Sequence, residues 1–201
     1  GVEVSIKKPL KTFKQNIVVT QNLLEASRLN KIEKFVYASS SASVGQQIPP
    51  LNEKKLINPI HPYGAHKASS EALCNAYLNC FGLKTTSLRF SNVFGPFFYN
   101  KISVVSKMIK DSYSQGKIYI EGNGLQTRDF LHVDDLSKAI IQILKKRNNI
   151  EGIFQLASSR EVSILTLAKT IQKVFLKYRN KVVDIKFKKS RKGDIKRSYS
   201  S

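Results

Sequence analysis

The chain alternates between two kinds of apolar patterning, and that alternation limits its fold more than any single residue does. Residues 8–30 carry Ile17, Leu23, Leu24 and Leu29 as an apolar stripe behind Pro9, which suits a first helical turn. KFVYAS (34–39) is a short β-branched and aromatic run, the pattern of a buried strand. From Gly45 to Pro62 the chain holds Pro49, Pro50 and Pro59 with little periodicity, which predicts a loop. A helix follows over 63–81 with Gly82 as its C-cap, then a strand over 83–90. Gly95-Pro96 opens an irregular connection into a helix near 101–115. Strand 117–120, an EGNG turn, helix 133–146, strand 153–157, helix 163–175 and strand 182–187 complete the series. Short strands separated by helices of this length pair in parallel through crossovers, so the expected class is α/β.

A length of 201 residues suffices for one domain, or for one domain and part of another. Hydrophobic residues at 41% and charged residues at 24% describe a soluble globular chain. No apolar run approaches the roughly 18 residues of a membrane span. GVEVSIKKP does not resemble a signal peptide, and Cys74 and Cys80 are too few for a disulfide framework. A cytoplasmic location is the expectation. The odd bulk property is charge: 34 Lys and Arg against 14 Asp and Glu, or +20. Nucleic-acid binding is the obvious explanation for such an excess. The charges are scattered, however, and no stacking aromatics interleave them, which favours a solvated surface that meets anionic small molecules. Only KFKKSRKGDIKR (186–197) crowds its positive charge.

Tyr63 and Lys67 stand four apart in HPYGAHKASSE, behind the serine-rich strand end YASSSA (37–42). On a helix that spacing projects phenol and ammonium from one face. Tyrosine, with a pKa of about 10, is a poor base at neutral pH. A fixed cation close by is expected to lower that value, and a serine hydroxyl on the same substrate oxygen completes a device for deprotonating an alcohol. YxxxK alone is a weak signal. The dinucleotide fingerprint G-x-G-x-x-G does not occur, and Gly122-Asn-Gly124 reads as a turn. Asp134 and Asp135 are expected to cap the helix that follows them.

Taken in order, GVEVSIKKP, NIVVTQNLLEASR, KFVYASSSASVG, HPYGAHKASSEAL, LRFSNVFGP, GNGLQTRDFLHVDDL and RKGD resemble the extended short-chain dehydrogenase/reductase family. Within it the chain is similar to the NAD-dependent sugar-nucleotide epimerase/dehydratase group, of the UDP-glucose 4-epimerase type. The resemblance implies a partial Rossmann-like, doubly wound parallel sheet with a smaller C-terminal substrate domain. Residues 1–96 would be the C-terminal part of the NAD-binding domain. Residues 97–201 would be mostly substrate domain, with a segment near 125–157 returning to the Rossmann sheet. By the same comparison the chain looks like an internal fragment, without the N-terminal glycine fingerprint and the C-terminal end. Isolated, it is expected to bind NAD weakly or not at all.

The resemblance also assigns roles. Tyr63 is the implied catalytic base, Lys67 its partner and a holder of the nicotinamide ribose, and Ser40 the hydroxyl on the reacting sugar oxygen. Ser39 and Ser41 are alternatives to Ser40, because Val44 stands where family members usually have tyrosine. These catalytic residues and Ser91 are the implied NAD contacts. Substrate contacts are Ser40, Asn92, the diphosphate-clamping Arg128 and Arg191, Asp194 on the uridine ribose, and Ser198. A small residue at Ser198 admits an N-acetyl group. His66 replaces the family's usual serine and is expected on the solvent side without a role. No metal is expected. Ser41 and Ala42 stand where family dehydratases carry Asp and Glu, and an elimination needs a second acid/base pair. The implied reaction is therefore NAD-dependent 4-epimerisation of a UDP-hexose, either UDP-GlcNAc/UDP-GalNAc or UDP-glucose/UDP-galactose. The alternatives are UDP-glucuronate 4-epimerisation and a non-catalytic, basic nucleic-acid-binding role. The family habit implies a homodimer through helices 8–30 and 63–81, and no membrane partner.

Overall fold

The computed structural model describes residues 1–97, 103–145, 150–190 and 195–201. Its helices are α1 (Val2–Lys7), α2 (Pro9–Phe13), α3 (Val19–Leu29), α4 (Pro62–Phe81), α5 (Val104–Gln115), α6 (Val133–Lys145) and α7 (Ile164–Arg179). The longer strands are β1 (Lys34–Ser40), β2 (Lys84–Phe90), β4 (Lys117–Glu121), β7 (Gly152–Leu156) and β9 (Asp184–Lys188). Between them lie the short β3 (Asn92–Phe94), β5 (Thr127–Arg128), β6 (Phe130–His132), β8 (Val162–Ser163) and β10 (Arg197–Ser198).

The α/β class is borne out. A three-stranded sheet in the order β1-β2-β7 is parallel throughout, with Ser40 paired to Phe90 and Phe90 to Leu156. All three strands thus end at one level, and α4 is the crossover from β1 to β2. Leu24, Tyr37, Cys74, Tyr77 and Leu83 form the core between this sheet and its helices. A second core, including Met108, Ile118, Ile120, Ile171, Phe175 and Val183, joins α5 and α7 to the parallel pair β4–β9. β3 pairs with β6, and β5 lies between β8 and β10.

The structure departs from the expected elements where side chains compete with the backbone ladder. Residues 8–30 are not one regular helix: α2 and α3 are joined by a π-helical turn, Lys14–Val18, and α1 precedes them. Asn16 Nδ2 donates to the Thr12 carbonyl at 2.8 Å, and Thr20 Oγ1 to the Asn16 carbonyl at 2.6 Å. Such bonds draw carbonyls away from the i→i−4 ladder and accompany local changes of helical pitch. α4 opens as its sequence suggests, with Pro62 at the first position and His61 Nδ1 accepting from Gly64 N at 3.0 Å. Asp134 and Asp135 are not caps. They lie within the first turn of α6, where His132 Nδ1 accepts from Asp134 N at 3.2 Å. Among the described residues no helix is long and apolar enough to cross a membrane, and no cluster of ligands could hold a metal.

Candidate active site

The three serines at the end of β1 go three different ways, because alternate residues of a strand face opposite sides. Ser39 is buried and donates to Glu71. Ser41 begins a 3-10 turn, donates to the Phe90 carbonyl at 3.0 Å and lies 2.6 Å from Gln155 Nε2. Ser40, still extended, accepts from Ala42 N at 3.2 Å and is near enough to the Tyr63 phenol to act on its pKa. The structure therefore brings Ser40, rather than its neighbours, to Tyr63.

Gly64 permits that meeting. A Cβ there would sit 2.3 Å from the Ala42 carbonyl oxygen, so only hydrogen lets the head of α4 approach the turn after β1. The Tyr63 amide donates to Ser5 Oγ at 3.1 Å, which ties the same point to α1. Lys67, one turn on, donates to the Ala38 carbonyl at 2.7 Å. Its ammonium lies 4.8 Å from the Tyr37 ring centre and 5.9 Å from that of Tyr63.

The electrostatics correct one expectation. Burial raises the pKa of Tyr63, and the neighbouring Ser40 hydroxyl only partly offsets that. Burial likewise lowers the pKa of Lys67, with Glu71 acting against it. Lys67 does not by itself turn Tyr63 into a phenolate: its ammonium lies 5.9 Å from the ring centre, and burial dominates. His66 is corrected too. It is 8% exposed, packs edge-on against Phe13 with ring centres 6.0 Å apart, and has its pKa lowered by burial.

The remaining sequence-derived residues gather past the ends of β2 and β7. Ser91 N bonds the Leu156 carbonyl, and Ser91 Oγ donates to Asp129 Oδ1 at 3.1 Å. Asn92 Nδ2 donates to the Asp129 carbonyl at 3.1 Å. Arg128 Nη1 donates to the carbonyls of Thr127 and Ile195, each at 2.7 Å. Ser198 is half-buried and stands opposite Arg128 in the parallel β5–β10 ladder. Arg191 and Asp194 lie outside the described residues.

Four residues that the sequence did not single out hold this arrangement together. Glu71 and Arg89 form a buried ion pair beneath Ser39. Asp129 is buried, and one of its oxygens takes Ser91 Oγ, Ser158 N and Ser158 Oγ. Gln155 Nε2 reaches both Ser41 and the Arg89 carbonyl. The available signal was weak: Glu71 repeats the Tyr63–Lys67 spacing once more along α4.

Ser40 at the carboxyl end of β1 and Tyr63 and Lys67 at the head of α4 lie on the side of a parallel sheet where ligands of open α/β folds bind, the class of protein that comparison with known proteins bears out. The chain belongs to the NAD dependent epimerase/dehydratase family, which it matches over residues 1–157. It is 33% identical over 159 residues to an uncharacterised UDP-glucose epimerase of Bacillus subtilis, covering 79% of this chain and 50% of that one. Among solved structures, a UDP-N-acetylglucosamine 4-epimerase of Methanobrevibacter ruminantium superimposes with a TM-score of 0.90 at 31% identity, over 100% of this chain and 64% of that one. A UDP-glucuronic acid 4-epimerase of Bacillus cereus, in complex with UDP-glucuronic acid and NAD, gives 0.88 at 31% identity, over 100% and 63%. The chain thus spans about half the length of that curated relative and under two thirds of those structures.

Proposed function

We propose that the full-length protein carrying this chain is an NAD-dependent 4-epimerase of a UDP-hexose, either UDP-GlcNAc/UDP-GalNAc or UDP-glucose/UDP-galactose. The observation that carries this reading is the approach of Tyr63 to Ser40, closer than to either neighbouring serine, with the Lys67 ammonium 5.9 Å from the Tyr63 ring centre. NAD fits the donor set: the Lys67 ammonium and the Tyr63 phenol suit ribose hydroxyls, and Ser91 follows Phe90, the β2 residue paired with Ser40. Bound there, NAD would take the C4 hydrogen as hydride and return it to the opposite face of the sugar, with no net oxidation. Tyr63 takes the proton of the C4 hydroxyl and later gives it back. Ser40 holds that oxygen in line, and Lys67 balances the phenolate charge. Arg128, its fork braced by two carbonyls, faces the diphosphate.

Two features separate this reading from its neighbours. Ser41 and Ala42 offer no carboxylate beside Ser40, and Ser41 is already engaged by the Phe90 carbonyl and Gln155, which disfavours dehydration. Ser198 is small and stands opposite Arg128, leaving room beside the sugar for an N-acetyl substituent. The second reading, a UDP-glucuronate 4-epimerase, is favoured by the likeness to the Bacillus cereus structure. Incubating the full-length protein with NAD and each of the three UDP-sugar pairs, and following isomer ratios by NMR, decides between them. Conversion of none of them ends the proposal.

A homodimer through residues 8–30 and 63–81 belongs to the same reading. Leu10, Leu23, Leu29 and Phe81 are exposed on α2, α3 and α4, an apolar surface of the kind that a second copy covers. Sedimentation equilibrium should return twice the chain mass, and a strict monomer would contradict the dimer.

A further inference from the structure

On the reading that Ser40, Tyr63 and Lys67 form the reacting centre, we propose that Glu71 is a positioning residue for that centre, with buried Arg89 as its counter-charge. Glu71 follows Tyr63 and Lys67 at successive four-residue steps of α4, so all three leave the helix on one face. The side chains of Glu71 and Arg89 are 1% and 2% exposed. Arg89 grips the carboxylate with two nitrogens, Nε at 2.9 Å and Nη2 at 2.7 Å. Ser39 and Ser43, which bracket Ser40, both direct hydroxyls at the same Glu71 oxygen, Ser43 at 3.0 Å. Arg89 is also the β2 residue paired with Ser39. One carboxylate therefore ties β1, the turn after it, β2 and α4 at the level where Ser40 meets Tyr63.

Stability does not account for this placement. Apolar residues of equal volume commonly serve a core as well as a buried ion pair does, or better. What the pair supplies is register. Ser43 Oγ lies 2.9 Å from the Ser40 carbonyl and 3.0 Å from Glu71 Oε1, so its one proton is shared between the carboxylate and the residue being placed. Glu71 acts on Lys67 too, supporting its proton against the effect of burial. The charged and titratable groups facing Lys67 are Tyr37 from β1, Tyr63 and Glu71 from α4 and, across Glu71, Arg89 from β2.

Two variants test the role. Glu71→Gln keeps the size and removes the charge. Carbon-13 lysine NMR of the chain, with the Lys67 signal assigned by its loss in Lys67→Met, should show Lys67 titrating at lower pH than in the unchanged chain. Ser43→Ala leaves the ion pair in place and is the variant to use if Glu71→Gln does not fold. In the full-length protein it should lower kcat about tenfold or more with KM for the UDP-sugar unchanged, at a melting temperature within a few degrees of the original. Unchanged kinetics in Ser43→Ala, or an unmoved Lys67 titration in folded Glu71→Gln, overturns the proposal. If the unaltered full-length protein converts no UDP-sugar, the functional reading fails instead, and the Lys67 titration alone decides whether Glu71 positions this site.

Discussion

At the scale of single residues, Tyr63 is poised rather than activated. Its pKa is raised by burial, so at neutral pH the phenol keeps its proton until charge is added beside it. Tyr63→Phe preserves the ring and removes the proton acceptor, and epimerisation should fall by about 10² to 10⁴-fold. Gly64→Ala attacks the same geometry from the backbone. The added methyl meets the Ala42 carbonyl at 2.3 Å, so α4 must withdraw. Overpacking of this kind costs about 1–3 kcal/mol, readable as a lower melting temperature, and should separate Tyr63 from Ser40 with loss of turnover. Ser198→Tyr should reduce kcat/KM for UDP-GlcNAc at least about tenfold while sparing UDP-glucose, and equal losses would show that the residue does not sense the 2-substituent. The Tyr63–Lys67 pair was legible from local spacing, whereas Ser40 came only from the family resemblance, with Ser39 and Ser41 left as alternatives. Glu71, Arg89 and Asp129 were not legible. Their contacts join residues 18 to 38 positions apart, across strands whose pairing no local window records.

At the scale of elements, the long amphipathic stretches were readable and the short strands were not. α5, α6 and α7 announce themselves by periodicity, and α4 by Gly82 at its end. β3, β5, β6, β8 and β10 hold two or three residues each, too few for alternation to register. The π-turn escaped because Thr12, Asn16 and Thr20 look like ordinary polar helix residues until their side chains are placed. Burial of His66 against Phe13 gives the contact between α4 and α2 a pH dependence. Its folded pKa is lowered, so the unfolded chain binds the proton more readily, and stability is lost as pH falls below the usual histidine value of about 6.5. Melting temperature should therefore drop between pH 7.5 and 5, and His66→Ser should flatten that drop.

At the scale of the molecule, most of the +20 charge is scattered over the surface, and several of the few acids are held in ion pairs. Glu25 is held to a pKa of about 2 by Arg28 and Tyr77, and Glu161 to about 2 by Arg197 and Thr127. Both values are depressed from the ordinary 4.5, so their contribution is present above that pH and is lost as pH falls toward 2. Both pairs are solvent-exposed, so the effect is a small one that salt should weaken. Acid titration of the melting temperature at low and high salt checks this.

The proline-rich segment after Gly45 bears on how a cleft of this design releases what it holds. Leu51 N bonds the Tyr199 carbonyl at 2.9 Å, Ser201 N bonds the Leu51 carbonyl at 3.0 Å, and Glu53 accepts from the Gln155 amide at 2.7 Å. The strip bearing Ser198 is thereby stitched, through one loop, to the strand that flanks the serine turn. A movement of either segment away from the other would break those bonds together. The amides of Leu51 and Ser201 should accordingly exchange with deuterium at one shared rate, and two independent rates would show that the loop and the C-terminal strip move separately.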